Sequence, residues 1–207
     1  DGQPGSDTSG VGNNFSVTGS LSQDSQDIPA GGGGMDLLPG TAGNDVLSGS
    51  DDADAIDGGA GDDILDGGAG DDTLTGGSGD DVYQFGRDDG VDTVINTGEG
   101  ASNDIVRFDS GITSDQLWFS QNGNDLEVSI IGTNDSITVQ GWNDTDNRVA
   151  SFEMSDGATL ASAQVENLVS AMASLTPPSL GETDLSSDLN DQLETVLASS
   201  WSDSSGS

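Results

Sequence analysis

Aspartate recurs at Asp45, Asp54, Asp63, Asp72 and Asp81, once every nine residues, within "GTAGNDVLS", "GSDDADAID", "GGAGDDILD", "GGAGDDTLT" and "GGSGDDVYQ". Carboxylates at fixed spacing beside glycine-rich backbone are oxygen donors, and the rest of the composition narrows what they can bind. The 207-residue sequence contains no Cys and no His. Disulfides, zinc sites, thiolate chemistry and the usual general base are excluded together, which leaves hard oxygen ligands for a hard cation.

Positioning those carboxylates is the task of the remaining residues of each nonapeptide. Glycines at the first, second and fourth positions permit positive φ and close approach of backbones, so the first six residues can form a tight turn with converging carbonyls. The eighth position is large and apolar each time (Leu47, Ile56, Leu65, Leu74, Tyr83). The last three residues therefore read as a short strand whose middle side chain faces inward. Two units close one coil of about eighteen residues, and stacked coils make a mainly β fold, a parallel β-roll.

Stacking brings the aspartates of neighbouring turns together, and like charges at close range oppose folding. The whole chain sharpens the problem, with 38 Asp+Glu against 3 Lys+Arg, a formal charge of -35 and only 31% hydrophobic residues. Such a composition lies on the disordered side of the charge and hydropathy balance unless something compensates it. A divalent cation between turns reverses the sign. The same charge excludes nucleic acid and anionic membranes as partners and favours cations or cationic surfaces. No apolar run is long enough for membrane insertion, no signal peptide is evident, and Asp1 in place of Met points to a piece of something longer.

The glycine and aspartate pattern resembles the calcium-binding nonapeptides of the RTX (repeats-in-toxin) family, with haemolysin-type repeats. In that family each calcium lies between turns two repeats apart, and each turn gives two carbonyls and its Asp. The resemblance implies one site from Gly59, Gly61 and Asp63 with Gly76, Ser78 and Asp81. A second would use Thr41, Gly43 and Asp45 with Gly58, Ala60 and Asp63. A third would use Ser50, Asp52 and Asp54 with Gly67, Ala69 and Asp72. The repeats holding Thr41, Ser50 and Asp52 depart most from the glycine pattern. Beyond the regular repeats, "GVDTVIN" and "SNDIVRF" keep an Asp two residues before an apolar residue, Asp92 with Val94 and Asp104 with Val106. Their turns would complete sites with Gly68, Gly70 and Asp72, and with Gly77, Gly79 and Asp81. The implied cofactor is Ca²⁺, about three to five ions, and six oxygens per ion suit Ca²⁺ better than Mg²⁺.

Around the roll, residues 1–36 read as a Gly/Ser/Asp-rich linker with one short strand near "FSVTGSL". The roll is expected over residues 37–110 and an antiparallel β capping region over residues 111–160. In the latter, Asn122-Gly123 signals a hairpin, and "SITVQGW" and "VASFEM" read as strands. Trp118, Phe119 and Trp142 are expected to fill this cap. The alternative makes Trp142, with Asn143 and Asp144, a sugar-stacking platform for a glycan ligand. Residues 161–207 contain two amphipathic helices, with Val165, Leu168, Val169 and Met172 on one face, and Leu189, Leu193, Val196 and Leu197 on the other's. Two such helices without a basic residue at the C-terminus resemble a type I secretion signal; a helical hairpin packed on the cap is the structural alternative, and both can hold.

Nothing catalytic stands out. "GGSGD" is not a G-x-S-x-G elbow because Asp80 replaces the last glycine, and no carboxylate pair stands apart from the repeat pattern. The reading is a non-enzymatic, secreted, calcium-binding module that folds outside the cell and engages type I secretion machinery, from an RTX adhesin acting in cell adhesion. The alternatives are the calcium-folding end of an RTX lipase or protease whose catalytic domain lies upstream, and a glycan-binding cap.

Overall fold

The computed structural model describes residues 35–96 and 103–202. The linker reading of residues 1–34 and its strand near "FSVTGSL" fall outside the described residues.

Short strands follow one another at the spacing of the repeats: β1 (Leu37–Pro39), β2 (Val46–Ser48), β3 (Ala55–Ala60), β4 (Ile64–Asp66), β5 (Thr73–Ser78) and β6 (Val82–Phe85). They fall alternately into two sheets. β1, β3 and β5 pair in parallel in one sheet, and β2, β4 and β6 in the other. Ile56 stands opposite Leu74 and Leu47 opposite Leu65, so the repeat of eighteen residues per coil is also the pairing register. The eighth-position side chains project between the sheets, and Ile56, Leu65, Leu74 and Tyr83 are all buried. Three-residue strands cannot bury a face alone; the stack supplies a continuous apolar seam.

β7 (Val91–Val94) and β8 (Ile105–Phe108) add one more coil, but the spacing slips, with Leu74 opposite Val94 and Tyr83 opposite Val106. Then come β9 (Leu117–Asn122), β10 (Asp125–Ile130), β11 (Ser136–Val139), β12 (Ser151–Glu153) and β13 (Thr159–Ala161). The sheet orders are β1-β3-β5-β7-β11-β10-β9 and β13-β12-β8-β6-β4-β2.

The cap is antiparallel only in part. β9–β10–β11 and β12–β13 pair antiparallel, whereas β11 lies parallel to β7 and β12 parallel to β8. The cap thus extends both sheets of the roll and gives the last coil a partner for each strand. The β9–β10 hairpin turns at Gly123–Asn124, one residue later than the Asn122-Gly123 signal: Asn122 still pairs with Asp125, and Gly123 takes the positive φ of 67°. Glycine at the first central position of a two-residue loop matches the twist of the strands.

The cap core is aromatic. Phe152 packs near Phe108, Phe119 and Trp142, and Trp118, Phe119 and Trp142 are buried. α1 (Ser162–Met172) buries Val165, Leu168 and Met172, with Val169 partly buried; α2 (Ser187–Ser200) buries Leu193 and Leu197. Ser186 caps α2 by accepting the Leu189 N–H, and past its end Ser202 exchanges backbone hydrogen bonds with Thr159 of β13. The C-terminal helices are thereby tied to the cap sheet.

Candidate metal centre

The turns between strands carry the aspartates, and one hydrogen bond repeats along them. Oδ1 of Asp54, Asp63, Asp72 and Asp81 accepts the backbone N–H of the aspartate one coil earlier, at 2.7, 2.8, 2.7 and 2.9 Å, from Asp36, Asp45, Asp54 and Asp63. Asp92 and Asp104 continue the ladder, accepting from Asp72 and Asp81 at 3.0 and 2.8 Å. All but Asp36 and Asp45 are buried. From Asp54 onward the ladder aspartate is thus a fixed, desolvated carboxylate, held by the coil before it.

Oδ2 behaves differently in different repeats. In Asp63, Asp72, Asp81 and Asp92 it is buried and has no hydrogen-bond partner among the described residues. In Asp45 it accepts the Thr41 N–H and hydroxyl at 2.6 and 2.8 Å, and in Asp54 the Ser50 N–H and hydroxyl at 2.6 and 3.0 Å. The departures from the glycine pattern at Thr41 and Ser50 therefore supply local donors to the first two carboxylates, while the regular repeats leave theirs open. Four unpaired buried carboxylate oxygens are costly unless a cation compensates them.

Carbonyls converge on the same places. A side chain at Gly58 would strike both Asp63 Oδ2 and the Gly76 carbonyl, so these two oxygens lie on one side of the Gly58 backbone. The carbonyls of Thr41, Ser50 and Gly59 press against Gly59, Gly68 and Gly77 of the following coil, and those of Gly43, Asp52 and Gly61 against Gly61, Gly70 and Gly79. The Ser78 carbonyl points back and accepts the Gly61 N–H at 2.8 Å. Positive φ occurs at the second and fourth positions, for example 96° at Gly59 and 121° at Gly61. First-position glycines need space and not φ: Gly67 and Gly76, like Gly58, face the Oδ2 of their own Asp72 and Asp81. Among the described residues no three acidic side chains gather as a metal cluster. What gathers beside Gly58 is instead a carboxylate oxygen with a main-chain carbonyl, an all-oxygen environment suited to Ca²⁺.

Burial is the main cause that raises the carboxyl pKa values, partly offset by the ladder hydrogen bond and reinforced by neighbouring aspartates. Asp63 is raised, Asp72 and Asp81 reach about 6, and Asp92 reaches about 8. A cation facing these groups would favour their charged form again.

Sequence reasoning passed over three features. "GGGGMDLLP" at residues 31–39 is itself a nonapeptide with Asp36 at the sixth position and Leu38 at the eighth; Asp36 joins the ladder and Leu38 is buried. Second, Asp135 from the cap accepts the N–H groups of Asp88 and Gly90 at 3.0 and 3.3 Å, closing over the turn before Asp92. There Asp88 stands at a second-position equivalent with φ 69°. Third, the ladder has a defined end. Ile137 stands opposite Asp92, and Ser151 opposite Ile105 leaves Ala150 where another aspartate would fall.

The ninth-position aspartates differ: Asp57 is exposed, whereas Asp66 is half-buried, accepts the Gly68 N–H at 3.1 Å and has a pKa raised by burial. Trp142 is 1% exposed, and the Arg148 guanidinium lies 5.0 Å above its ring. A sugar cannot stack on a face that is already covered, so the indole is core and not a platform.

Comparison with known families agrees with the geometry at the turns. The family of the RTX calcium-binding nonapeptide repeat (4 copies) matches residues 30–65 and 57–92. The chain carries RTX calcium-binding nonapeptide repeats. The RTX match begins at residue 30, ahead of the nonapeptide that contains Asp36. The haemolysin-type calcium binding protein related domain matches residues 125–164, which hold β10 to β13 and the start of α1. Among relatives, the iron-regulated protein FrpA of Neisseria meningitidis serogroup C is 37% identical over 90 residues. That alignment covers 41% of this chain and 8% of FrpA. The matches to calcium-binding families and to this relative support the calcium reading of the turns.

Proposed function

We propose that this chain is the calcium-folding, export-competent region of a secreted, non-enzymatic RTX adhesin. The observation that carries the calcium reading is the set of buried, partnerless Oδ2 atoms on Asp63, Asp72, Asp81 and Asp92. The proposed ligand sets are Gly59, Gly61 and Asp63 with Gly76, Ser78 and Asp81; Thr41, Gly43 and Asp45 with Gly58, Ala60 and Asp63; and Ser50, Asp52 and Asp54 with Gly67, Ala69 and Asp72. Gly68, Gly70 and Asp72 with the Asp92 turn, and Gly77, Gly79 and Asp81 with the Asp104 turn, complete the series. Bound calcium supplies positive charge between carboxylates that otherwise repel.

Calcium binding is then folding free energy, because the sites exist only when coils are stacked. Extracellular calcium modules have Kd values of about 10⁻⁴ to 10⁻³ M. At cytosolic calcium the roll stays open and can be threaded through a type I secretion channel; outside the cell it folds. The roll (residues 37–110), cap (111–160) and tail (161–207) divide the work of calcium folding, closure of the stack and export. Among the described residues no helix is long and apolar enough to cross a membrane, in keeping with a secreted or surface-held product.

Isothermal titration with CaCl₂ tests the proposal: about three to five ions should bind with affinities in the range typical of extracellular modules. Heats indistinguishable from buffer would refute it.

A further inference from the structure

Tyr83 is the single tyrosine of the chain, and it occupies an inward position whose paired neighbours, Leu65 and Val106, are aliphatic. It is fully buried, so its hydroxyl must find partners. The phenol oxygen accepts the Gly76 N–H at 3.1 Å and donates to Asn96 Oδ1 at 3.4 Å. A Cβ built on Gly76 would lie 2.6 Å from that oxygen and would also strike Asp81 Oδ2. The phenol therefore reaches past the apolar seam and into the turn that carries Asp81.

The reason for a hydroxyl here lies in the slip of the roll. In the first coil the first-position N–H is taken by a ninth-position carbonyl of the next coil, Gly40 by Asp57 and Gly49 by Asp66. Gly76 is the equivalent position, but the pairing of β5 with β7 ends at Leu74 and Val94, with a last bond from the Ile95 N–H to the Leu74 carbonyl. The next strand has left its regular course, and Asn96 follows. Without the phenol, the Gly76 N–H would be a buried donor with no carbonyl among the described residues to meet it. Asn96 is itself 2% exposed, and its Nδ2 has no partner among the described residues, so the amide is oriented through the phenol.

We propose that Tyr83, oriented by Asn96, is a positioning residue for the calcium turn at residues 76–81. By holding the Gly76 N–H it fixes the backbone of the residue whose own carbonyl lies with Asp63 Oδ2 beside Gly58, and it leaves Asp81 Oδ2 free for the ion. This inference rests on the calcium reading and adds to it a residue outside the turn, at an eighth position that is otherwise aliphatic.

The test is Tyr83→Phe, which removes only the hydroxyl, with Asn96→Ala as a second variant that keeps the phenol. Two readouts apply to the calcium-loaded chain: hydrogen exchange at the Gly76 amide, and stepwise calcium titration. An unsatisfied buried donor costs about 1–2 kcal/mol, which is roughly a five- to thirty-fold effect. Y83F should therefore speed Gly76 exchange and weaken one calcium step by about five- to thirty-fold, leaving the amides of the first coil protected as in the wild type. Asn96→Ala should act on the same amide and the same step, more weakly. Unchanged Gly76 exchange in both variants, or equal weakening of all calcium steps, would overturn the inference. If Y83F fails to fold in saturating calcium, Asn96→Ala alone decides by the same criteria. A wild-type chain that takes up no calcium overturns the calcium reading and this inference together, whereas wild-type uptake matched by Y83F overturns only the latter.

Discussion

Replacing Asp63 should change the sign of its effect on stability with the presence of calcium. Its Oδ1 accepts the Asp45 N–H at 2.8 Å, and its Oδ2 is buried without a partner beside the Gly76 carbonyl. Asp63→Asn keeps an acceptor for Asp45 and removes the charge; Asp63→Ala removes both. Without calcium the carboxylate is a liability, since burial has raised its pKa and the neighbouring Asp45, Asp62 and Asp57 raise it further. Asp63→Asn should thus leave the calcium-free chain as ordered as the wild type or more so. With calcium the same change removes one charged ligand, and a hydrogen bond or contact to a charged group is worth about 1.5–3 kcal/mol. That corresponds to roughly a ten- to 150-fold loss of calcium affinity, greater for Asp63→Ala, which also orphans the Asp45 N–H. Asp57→Ala, at an exposed outward position, is the control and should be nearly silent. Circular dichroism during calcium titration measures all three. Equal calcium midpoints for the Asp63 and Asp57 variants would refute the assignment of the turns.

Acidity should partly replace calcium: burial pushes Asp72 and Asp81 up to about 6 and Asp92 up to about 8 from the ordinary aspartate value of 3.8, so the folded state holds protons that the unfolded chain has released. Stability of the calcium-free roll should therefore be greatest below about pH 4, where both states are protonated, and fall as pH rises through about 6 to 8, as thermal melts in chelator would show; a melt independent of pH would contradict it. Gly58→Ala should weaken calcium binding strongly because its methyl would occupy the space of Asp63 Oδ2 and the Gly76 carbonyl, and a wild-type titration would contradict the packing of that turn. Deleting residues 180–207 should block export from a host with the matching transporter and also lower the melting temperature of the loaded chain, because Leu193 and Leu197 leave the core and β13 loses Ser202. Secretion of the deleted chain at normal levels would overturn the export reading.

The nine-residue period made the roll legible because each position has one physical duty. An inward apolar eighth residue and a sixth-position aspartate are enough to predict the pairing of Leu47 with Leu65 and of Ile56 with Leu74. "GGGGMDLLP" was hidden by its own glycines, which satisfy the turn pattern but also read as a flexible run. The parallel contacts of β11 with β7 and β12 with β8 were not legible because hairpin signals are local, whereas these pairs join segments about forty-five residues apart. Nor did the sequence distinguish glycines that need positive φ from those, such as Gly67, that need only room for a neighbouring carboxylate. Asp135 was missed because its duty, accepting two N–H groups across the end of the roll, depends on where the cap comes to rest.

The central claim is that calcium is what offsets the charge of the stacked aspartates. Small-angle scattering and far-ultraviolet circular dichroism of the same sample, first in chelator at neutral pH and then in millimolar Ca²⁺, test it most directly. The account predicts an expanded chain with little β-structure in chelator and a compact, β-rich one in calcium, reversibly. Unchanged scattering and spectra on adding calcium would contradict it.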